Sequence, residues 1–361
     1  MALNLDSITA LREHLGTLGA APIHADRLLR RWAQAQPIDA GRQAAEHFFP
    51  KPLLDALPAL RDSLSALARV QSAHPSPDGS ERLLLALADG QTIESVLLPR
   101  DGLCISSQVG CAVGCRFCMT GMGGLQRQLG SAEIVAQVAL ARARRPVTKV
   151  VFMGMGEPAH NLDAVMESIE LLGTLGGIGH KNLVFSTVGD ERAFERLGSG
   201  RVKPALALSL HSTDAARRAD LLPRAPHLDP TWLVHEADRY ARATGYPAQI
   251  QWTLLDGVND GDDEMQALAT LLHGRHMMLN LIPYNHVEGL PWRRPDWERA
   301  VAIARTLNGR GVLTRLRRSA GQEVDGGCGQ LRARSQPIRP VRPASPNGAS
   351  QGQPIRWSST P

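Results

Sequence analysis

Apolar residues recur at helical spacing through the first part of the chain. Residues 6–15 and 24–33 set leucines, an isoleucine and a tryptophan on one face and arginines on the others, so residues 1 to about 72 read as helical. The run Pro75-Ser-Pro-Asp-Gly79 ends that pattern. Two strand-like runs, Arg82-Leu-Leu-Leu-Ala-Leu-Ala88 and Thr92-Ile-Glu-Ser-Val-Leu-Leu98, then flank Asp89-Gly90, a dipeptide suited to a tight hairpin turn. From about residue 103 strand-like and helix-like segments alternate every thirty residues or so. The predicted strands cover residues 103–107, 149–154, 183–187, 205–210, 248–254, 277–283 and 312–317. Amphipathic helices are predicted at 131–145, 161–175, 230–244, 262–273 and 297–308, with Ser131 as the N-cap of the first and Glu133 suited to its positive start. Repeated βα units predict an α/β fold with a parallel sheet, open or curled into a partial barrel. In either case the chemistry belongs at the C-terminal ends of the strands.

Composition excludes several classes. The 361 residues are 43% apolar and 21% charged, the balance of a chain that buries a sizeable core. Their number allows two or three domains at ~150 residues each. No apolar stretch approaches the ~20 residues of a membrane span. Asp6, Arg12, Glu13 and Asp26 break up the first thirty residues, which lack the apolar core of a secretory signal. The formal charge is +5, but residues 332–361 hold five arginines and no acidic residue, so residues 1–331 are formally neutral. With six prolines and five serines, that stretch reads as a disordered basic tail. Charge therefore permits a nucleic-acid partner without requiring one.

The five cysteines are too few, and odd in number, for a disulfide-stapled scaffold. A cytoplasmic location is the expectation, where clustered thiols usually serve metal or catalysis. Four lie in Cys104-Ile-Ser-Ser-Gln-Val-Gly-Cys111-Ala-Val-Gly-Cys115-Arg-Phe-Cys118, at the first predicted barrel strand. Cys111, Cys115 and Cys118 can converge on one metal centre. A structural zinc takes four protein ligands, whereas three leave one position open. An iron–sulfur cube with one iron free of protein meets that description, and the spacing is the radical S-adenosylmethionine (SAM) signature; the free iron would chelate the amino and carboxylate groups of the cofactor. The competing reading adds Cys104 and makes a zinc-stabilised RNA-binding protein without catalysis. The seven-residue gap and strand-end placement of Cys104 argue against it.

Seven segments carry a more specific resemblance: Ile93-Glu-Ser-Val-Leu-Leu-Pro99, Cys104 to Cys118 with Met119-Thr-Gly121, Phe152-Met-Gly-Met-Gly-Glu-Pro158, Ser186-Thr187, Ser209-Leu-His211, Asn280-Leu-Ile-Pro-Tyr-Asn285 and Cys328-Gly-Gln-Leu331. In this order they resemble the RlmN/Cfr family of radical SAM RNA (adenine) methyltransferases over residues 80–331. The resemblance implies a partial (β/α)6 TIM-type barrel at 81–331 behind an N-terminal helical accessory domain at 1–80, with the tail at 332–361 beyond. It implies a [4Fe-4S] cluster on Cys111, Cys115 and Cys118 and two SAM molecules per turnover. One methylates a carrier thiol; the other, cleaved to a 5′-deoxyadenosyl radical, takes hydrogen from that methyl group. The methylene radical then adds to carbon-2 (RlmN type) or carbon-8 (Cfr type) of an adenine, electrophilic carbons to which a methyl cation cannot be transferred directly.

By the same resemblance Cys328 is the carrier, forming S-methylcysteine, and Glu94 is the proton acceptor. Cys104 resolves the protein–RNA adduct through a transient disulfide with Cys328. Gly156, Glu157, Ser186, Ser209, Leu210, His211 and Asn285 are the implied SAM contacts, with His211 not a metal ligand. The implied substrate is 23S ribosomal RNA and/or transfer RNA. The implied electron source is a one-electron reductant such as flavodoxin with its reductase, and the enzyme is expected to be a monomer with no membrane partner. Arginines at 27–31 and 142–145 are candidate phosphate contacts or merely solvated helix faces. The match departs before Cys328, where Ser319-Ala-Gly-Gln-Glu-Val-Asp-Gly-Gly lacks the family's arginine and has glycines in place of two alanines. It departs again after the cysteine loop, at Gly124-Leu-Gln-Arg-Gln-Leu129, so the RNA and the target carbon stay open.

Overall fold

The computed structural model describes residues 5–333, so the predicted basic tail, Arg332 and Ala333 apart, lies outside the described residues. Helices Ile8–Thr17, Pro22–Ala33, Ala45–Phe48 and Lys51–Ala66 come first. Ser7 caps the first helix by accepting the Ala10 N–H at 3.0 Å. Leu53, Leu57, Leu60 and Leu64 form the buried stripe of the fourth. These side chains share one hydrophobic core with the sheet. Polar contacts fasten the seam: Ile8 N–H donates to Ser131 Oγ at 2.8 Å, and Arg142 Nη1 to the Ala33 carbonyl at 2.8 Å.

The helical reading overshoots at residues 68–72. Strand β1 (Ala68–Pro75) starts there and pairs antiparallel with β2 (Glu81–Leu87), with a bulge between Val70 and Ser72. A short segment of mixed propensity takes the conformation its neighbours can pair with, and the edge of β2 supplies that partner. The expected hairpin joins β2 to β3 (Thr92–Leu98), with Gly90 at φ +83° in the turn. Next come β4 (Gly102–Cys104), a small ribbon of β5 (Gln108–Gly110) and β6 (Leu125–Gln128), then β7 (Lys149–Phe152), β8 (Leu183–Thr187), β9 (Ala205–Ser209), β10 (Ala248–Leu254), β11 (Met277–Pro283) and β12 (Thr314–Leu316).

The main sheet runs β1-β2-β3-β4-β7-β8-β9-β10-β11-β12, with every neighbour pair parallel from β4 onward. Six helical crossovers therefore link seven parallel strands in sequential order, the (β/α)6 arrangement. Among the described residues β12 does not pair back to β4, which leaves the barrel open. The principal predicted helices form at Ser131–Arg142, Leu162–Thr174, Pro230–Thr244, Asp262–Leu272 and Trp297–Gly309. Gly130 rather than Ser131 is the N-cap of the first. The Ser131 hydroxyl bonds Ile8 N–H and Glu167 instead, while Glu133 reaches back to Gly130 N–H at 2.9 Å. Pattern reading passed over the short, charged helices Glu191–Ser199 and Ala215–Leu221, capped by Asp190 and Asp214.

Candidate active site

The ends of β7, β8, β9, β10 and β11 converge on one cavity of about 150 Å³. Cys111, Cys115 and Cys118 line it from the loop after β5, with Glu157, Ser186, Ser209, His211, Gln251 and Cys328 around them. Five successive parallel strands meet at this single space only because the sheet curls around it. A roomier cleft of about 460 Å³, between Ser7, Ser131, Glu167 and Arg201, lies at the junction with the N-terminal helix and holds none of the cysteines.

Glycine sets the backbone on one wall. Gly156 has φ +107°, and a Cβ there would stand 2.7 Å from Gln108 Cβ, so the side chain is excluded twice over. Gln108 Oε1 accepts the Glu157 N–H at 2.8 Å, and Glu157 turns its carboxylate into the barrel. The Ala159 and Val188 N–H groups donate to its two oxygens, each at 3.1 Å. Burial raises the carboxyl to about 7, although these bonds and one from Thr187 act to lower it. Among the described residues Glu157 forms no ion pair. Arg218 stands behind this wall with Nη2 on the carbonyls of Val188 and Ser209. Burial lowers it to about 10, while Cys115 and Glu157 act to raise it.

His211 occupies the left-handed region at φ +63°. Thr253 N–H donates to its Nδ1 at 3.0 Å, so the neutral ring carries its proton on Nε2. Burial first and Arg218 second lower its pKa to about 3. It packs edge-on against Phe117, centroids 4.9 Å apart. Leu210 is wholly buried, and its N–H donates to the Gln251 carbonyl. Asn285 is engaged elsewhere: Nδ2 donates to Ser319 Oγ at 2.8 Å and to the Cys328 carbonyl at 2.9 Å.

The cavity fits an iron–sulfur centre and a polar ligand. Burial pushes Cys111 up to about 12, with Cys118 and Glu157 adding to the effect, and Cys115 is raised by burial, Cys118 and Cys111. Thiolates so crowded need a cationic centre among them. Among the described residues no three His, Cys, Asp or Glu side chains gather tightly enough for a single metal ion. A cube that spreads its thiolates over separate irons does not require that spacing. Gln251 Nε2, buried on the cavity wall, has no protein partner, which leaves a donor for a ligand to satisfy.

Cys328 opens onto the cavity, and all five thiols are free. Although Cys328 is itself exposed, desolvation by the surrounding walls raises its thiol, while Arg317 and the Ser319 hydroxyl act to lower it. Burial and then Cys328 raise the Cys104 thiol. Glu94, in β3, does not line the cavity and is 1% exposed. Its Oε1 pairs with Arg82 Nη1, and its Oε2 accepts the N–H groups of Arg332 at 2.8 Å and Ala333 at 3.1 Å. Sequence reasoning passed over Arg82, which reads as the exposed first charge of a strand, and over Gln251, one polar residue within a strand.

On the candidate phosphate-contact helices, Arg27, Arg142 and Arg144 are engaged within the protein. Arg27 donates to the carbonyls of Ala40, Asp39 and Gln43 and stacks over Phe48 at 4.3 Å. Arg142 ties Ala33, Val147 and Gly176, and Arg144 pairs with Glu81 at 2.5 Å. Long side chains with carbonyl partners in reach are used for packing rather than left solvated.

Residues 105–269 match the radical SAM superfamily. A probable RNA methyltransferase of Methylibium petroleiphilum is 69% identical over 328 residues, covering 91% of this chain and 93% of that protein. One of Stutzerimonas stutzeri is 63% identical over 333 residues, covering 92% and 97%. The crystal structure of a radical SAM methyltransferase from Sphaerobacter thermophilus superposes with a TM-score of 0.78 at 34% identity, covering 91% of this chain and 98% of that one.

Proposed function

Because this chain belongs to the RlmN/Cfr-like family of radical SAM RNA methyltransferases, we propose that it methylates carbon-2 of an adenosine in 23S ribosomal RNA and/or transfer RNA, with the methyl group carried on Cys328. Membership replaces the zinc-protein alternative and brings a [4Fe-4S] cluster and SAM as cofactors. When bound, this pair supplies a methyl donor and, on one-electron reduction, a carbon radical.

The chain's own residues divide the remaining work. Cys111, Cys115 and Cys118 hold the cluster and leave one iron open. Glu157 receives the ammonium of SAM, Gly156 allows close approach of the backbone, and Ser186, Ser209 and the Nε2–H of His211 offer polar contacts. Leu210 sets the backbone beside them, and Asn285 acts through the Cys328 loop. Cys328 takes the methyl group, Glu94 accepts the ring proton and Cys104 frees the carrier by forming a disulfide.

The observation that carries this reading is the meeting of Cys328 with the three-cysteine loop and Glu157 at one cavity. The test is anaerobically reconstituted enzyme, with reductant and SAM, acting on ribosomal and transfer RNA that lack the modification. Mass mapping is expected to find 2-methyladenosine with wild type and none with Cys328→Ala, while Cys104→Ala accumulates protein covalently joined to RNA. An 8-methyladenosine product would move the target carbon, and full activity of Cys328→Ala would remove the carrier role.

A further inference from the structure

Arg82, only 4% exposed, follows Glu81 at the start of a strand whose remaining residues are leucine and alanine. Burial of a guanidinium is costly unless its donors are matched, and the two matches here are specific. Nε donates to the Val324 carbonyl at 2.5 Å, and Nη1 pairs with Glu94 on the neighbouring strand. The register sets Leu84 opposite Glu94 and Arg82 opposite Val96, so Arg82 and Glu94 are diagonal neighbours on one face of the hairpin. The second Glu94 oxygen accepts the Arg332 and Ala333 N–H groups. Val324 stands four residues before Cys328, and Arg332 stands four after it. One buried ion pair thus grips both ends of the carrier loop.

We infer that Arg82 is a positioning residue: with Glu94 it brackets the loop that carries Cys328, and proton uptake by Glu94 opens the bracket. The opening step rests on Glu94 being the proton acceptor; the bracket itself does not. With Glu94 ionised, the bonds on both its oxygens are charge-assisted, roughly twice as strong as neutral ones. When the carboxylate takes a proton it becomes a neutral acid. The ion pair with Arg82 is lost, and one oxygen turns from acceptor to donor and no longer suits an N–H partner. Arg82 keeps its charge and its bond to Val324, so the downstream end of the loop loosens first. Loss of the ring proton, the event that readies the adduct for cleavage, thereby frees Cys328 to meet Cys104. No other ion pair reaches Glu94 among the described residues.

The competing account holds the loop by its other contacts alone: Met119 N–H to the Gly329 carbonyl at 2.8 Å, Thr120 Oγ1 to the Leu331 carbonyl at 2.7 Å, and Asn285 to the Cys328 carbonyl. The experiment is hydrogen–deuterium exchange on the full-length, cluster-loaded enzyme without RNA or SAM, alongside iodoacetamide alkylation of Cys328 mapped by mass spectrometry. Glu94→Gln keeps the shape of the carboxyl and removes its charge. It is expected to speed exchange of peptides spanning 325–333 and alkylation of Cys328 about tenfold, leaving residues 277–283 as in wild type.

Arg82→Met is expected to exceed that and to loosen residues 321–324 as well. Arg82→Lys, which retains the charge, restores slow exchange at Arg332 and Ala333 more fully than at Val324. Unchanged exchange and alkylation in Glu94→Gln overturns the bracket, whether or not Arg82→Met folds. A loosened loop in Glu94→Gln enzyme that still methylates RNA keeps the bracket and removes the proton-acceptor role.

Discussion

Two buried glutamates stand at opposite ends of the catalytic machinery, and their surroundings differ in one respect. Glu157, at the barrel mouth, receives only neutral donors, and burial holds it near 7. Glu94, at the seam between hairpin and carrier loop, faces a buried arginine and two backbone N–H groups. The first forms no ion pair among the described residues. The second is already saturated, and its charge holds protein to protein. A buried carboxylate left without a counter-charge marks where a ligand goes, and one given a counter-charge marks what is held in place.

The strongest way to separate the two ends is Cys115→Ala. It is expected to abolish the brown iron–sulfur absorbance of anaerobically purified protein and to leave hydrogen exchange of residues 325–333 at the wild-type rate. Loosening of that loop would show that the ends are not independent. Glu157→Gln removes the charge awaiting the ammonium group and is expected to weaken SAM binding, by calorimetry on cluster-loaded enzyme, by roughly 10- to 100-fold. Equal affinity in wild type and variant would take the ammonium away from Glu157.

A milder perturbation uses pH alone. The carboxyl is raised from 4.5 to about 7 in the folded protein, so ionising it costs the ligand-free fold stability as pH rises from 4.5 through 7. Binding of an ammonium requires the ionised form. SAM affinity is therefore expected to fall from pH 8 to pH 6 in wild type and not to fall over that range in Glu157→Gln.

The smallest effect belongs to Asp78, which ties the β1–β2 turn to the carrier segment by accepting Gly321 N–H at 2.9 Å. Burial acts to raise its pKa, but bonds from Ser80, Gly321 and Ser76 outweigh it and hold the carboxyl at about 2. Its contribution is full above 3.8 and is lost as pH falls through 2. Limited pepsin digestion of the 318–326 segment, relative to a denatured control at each pH, is expected to rise as pH falls from 3.8 through 2 in wild type and to be already raised at pH 3.8 in Asp78→Asn.

The same contrast explains what could be read in the sequence. The seven parallel strands were legible because β-branched and leucine-rich runs lie between amphipathic helices, a pattern repeated often enough to fix its own phase. The Cys111–Cys118 loop was legible because its chemistry depends on local spacing, and Glu157 was named through the family resemblance. Arg82 was not, since its meaning depends on Val324, 242 residues away. Ser131 looked like a cap until Ile8 N–H, 123 residues distant, claimed its hydroxyl. The arginines at 27 and 142 suggested phosphate contacts because carbonyl partners such as Gly176 leave no mark on the pattern. What escaped was in each case a polar side chain whose partner is far away in the chain.

The two grips on the carrier loop also set how far its sulfur can travel. Cys328 lies four positions after Val324 and four before Arg332. A fully extended chain of that length reaches at most about 14 Å. A thiol on so short a tether never becomes a free solute, and its effective concentration at a neighbouring thiol stays on the order of millimolar or above. While both grips hold, any exchange of the Cys328 thiol with another thiol of this chain is an intramolecular event, favoured over small-molecule thiols present at lower concentration.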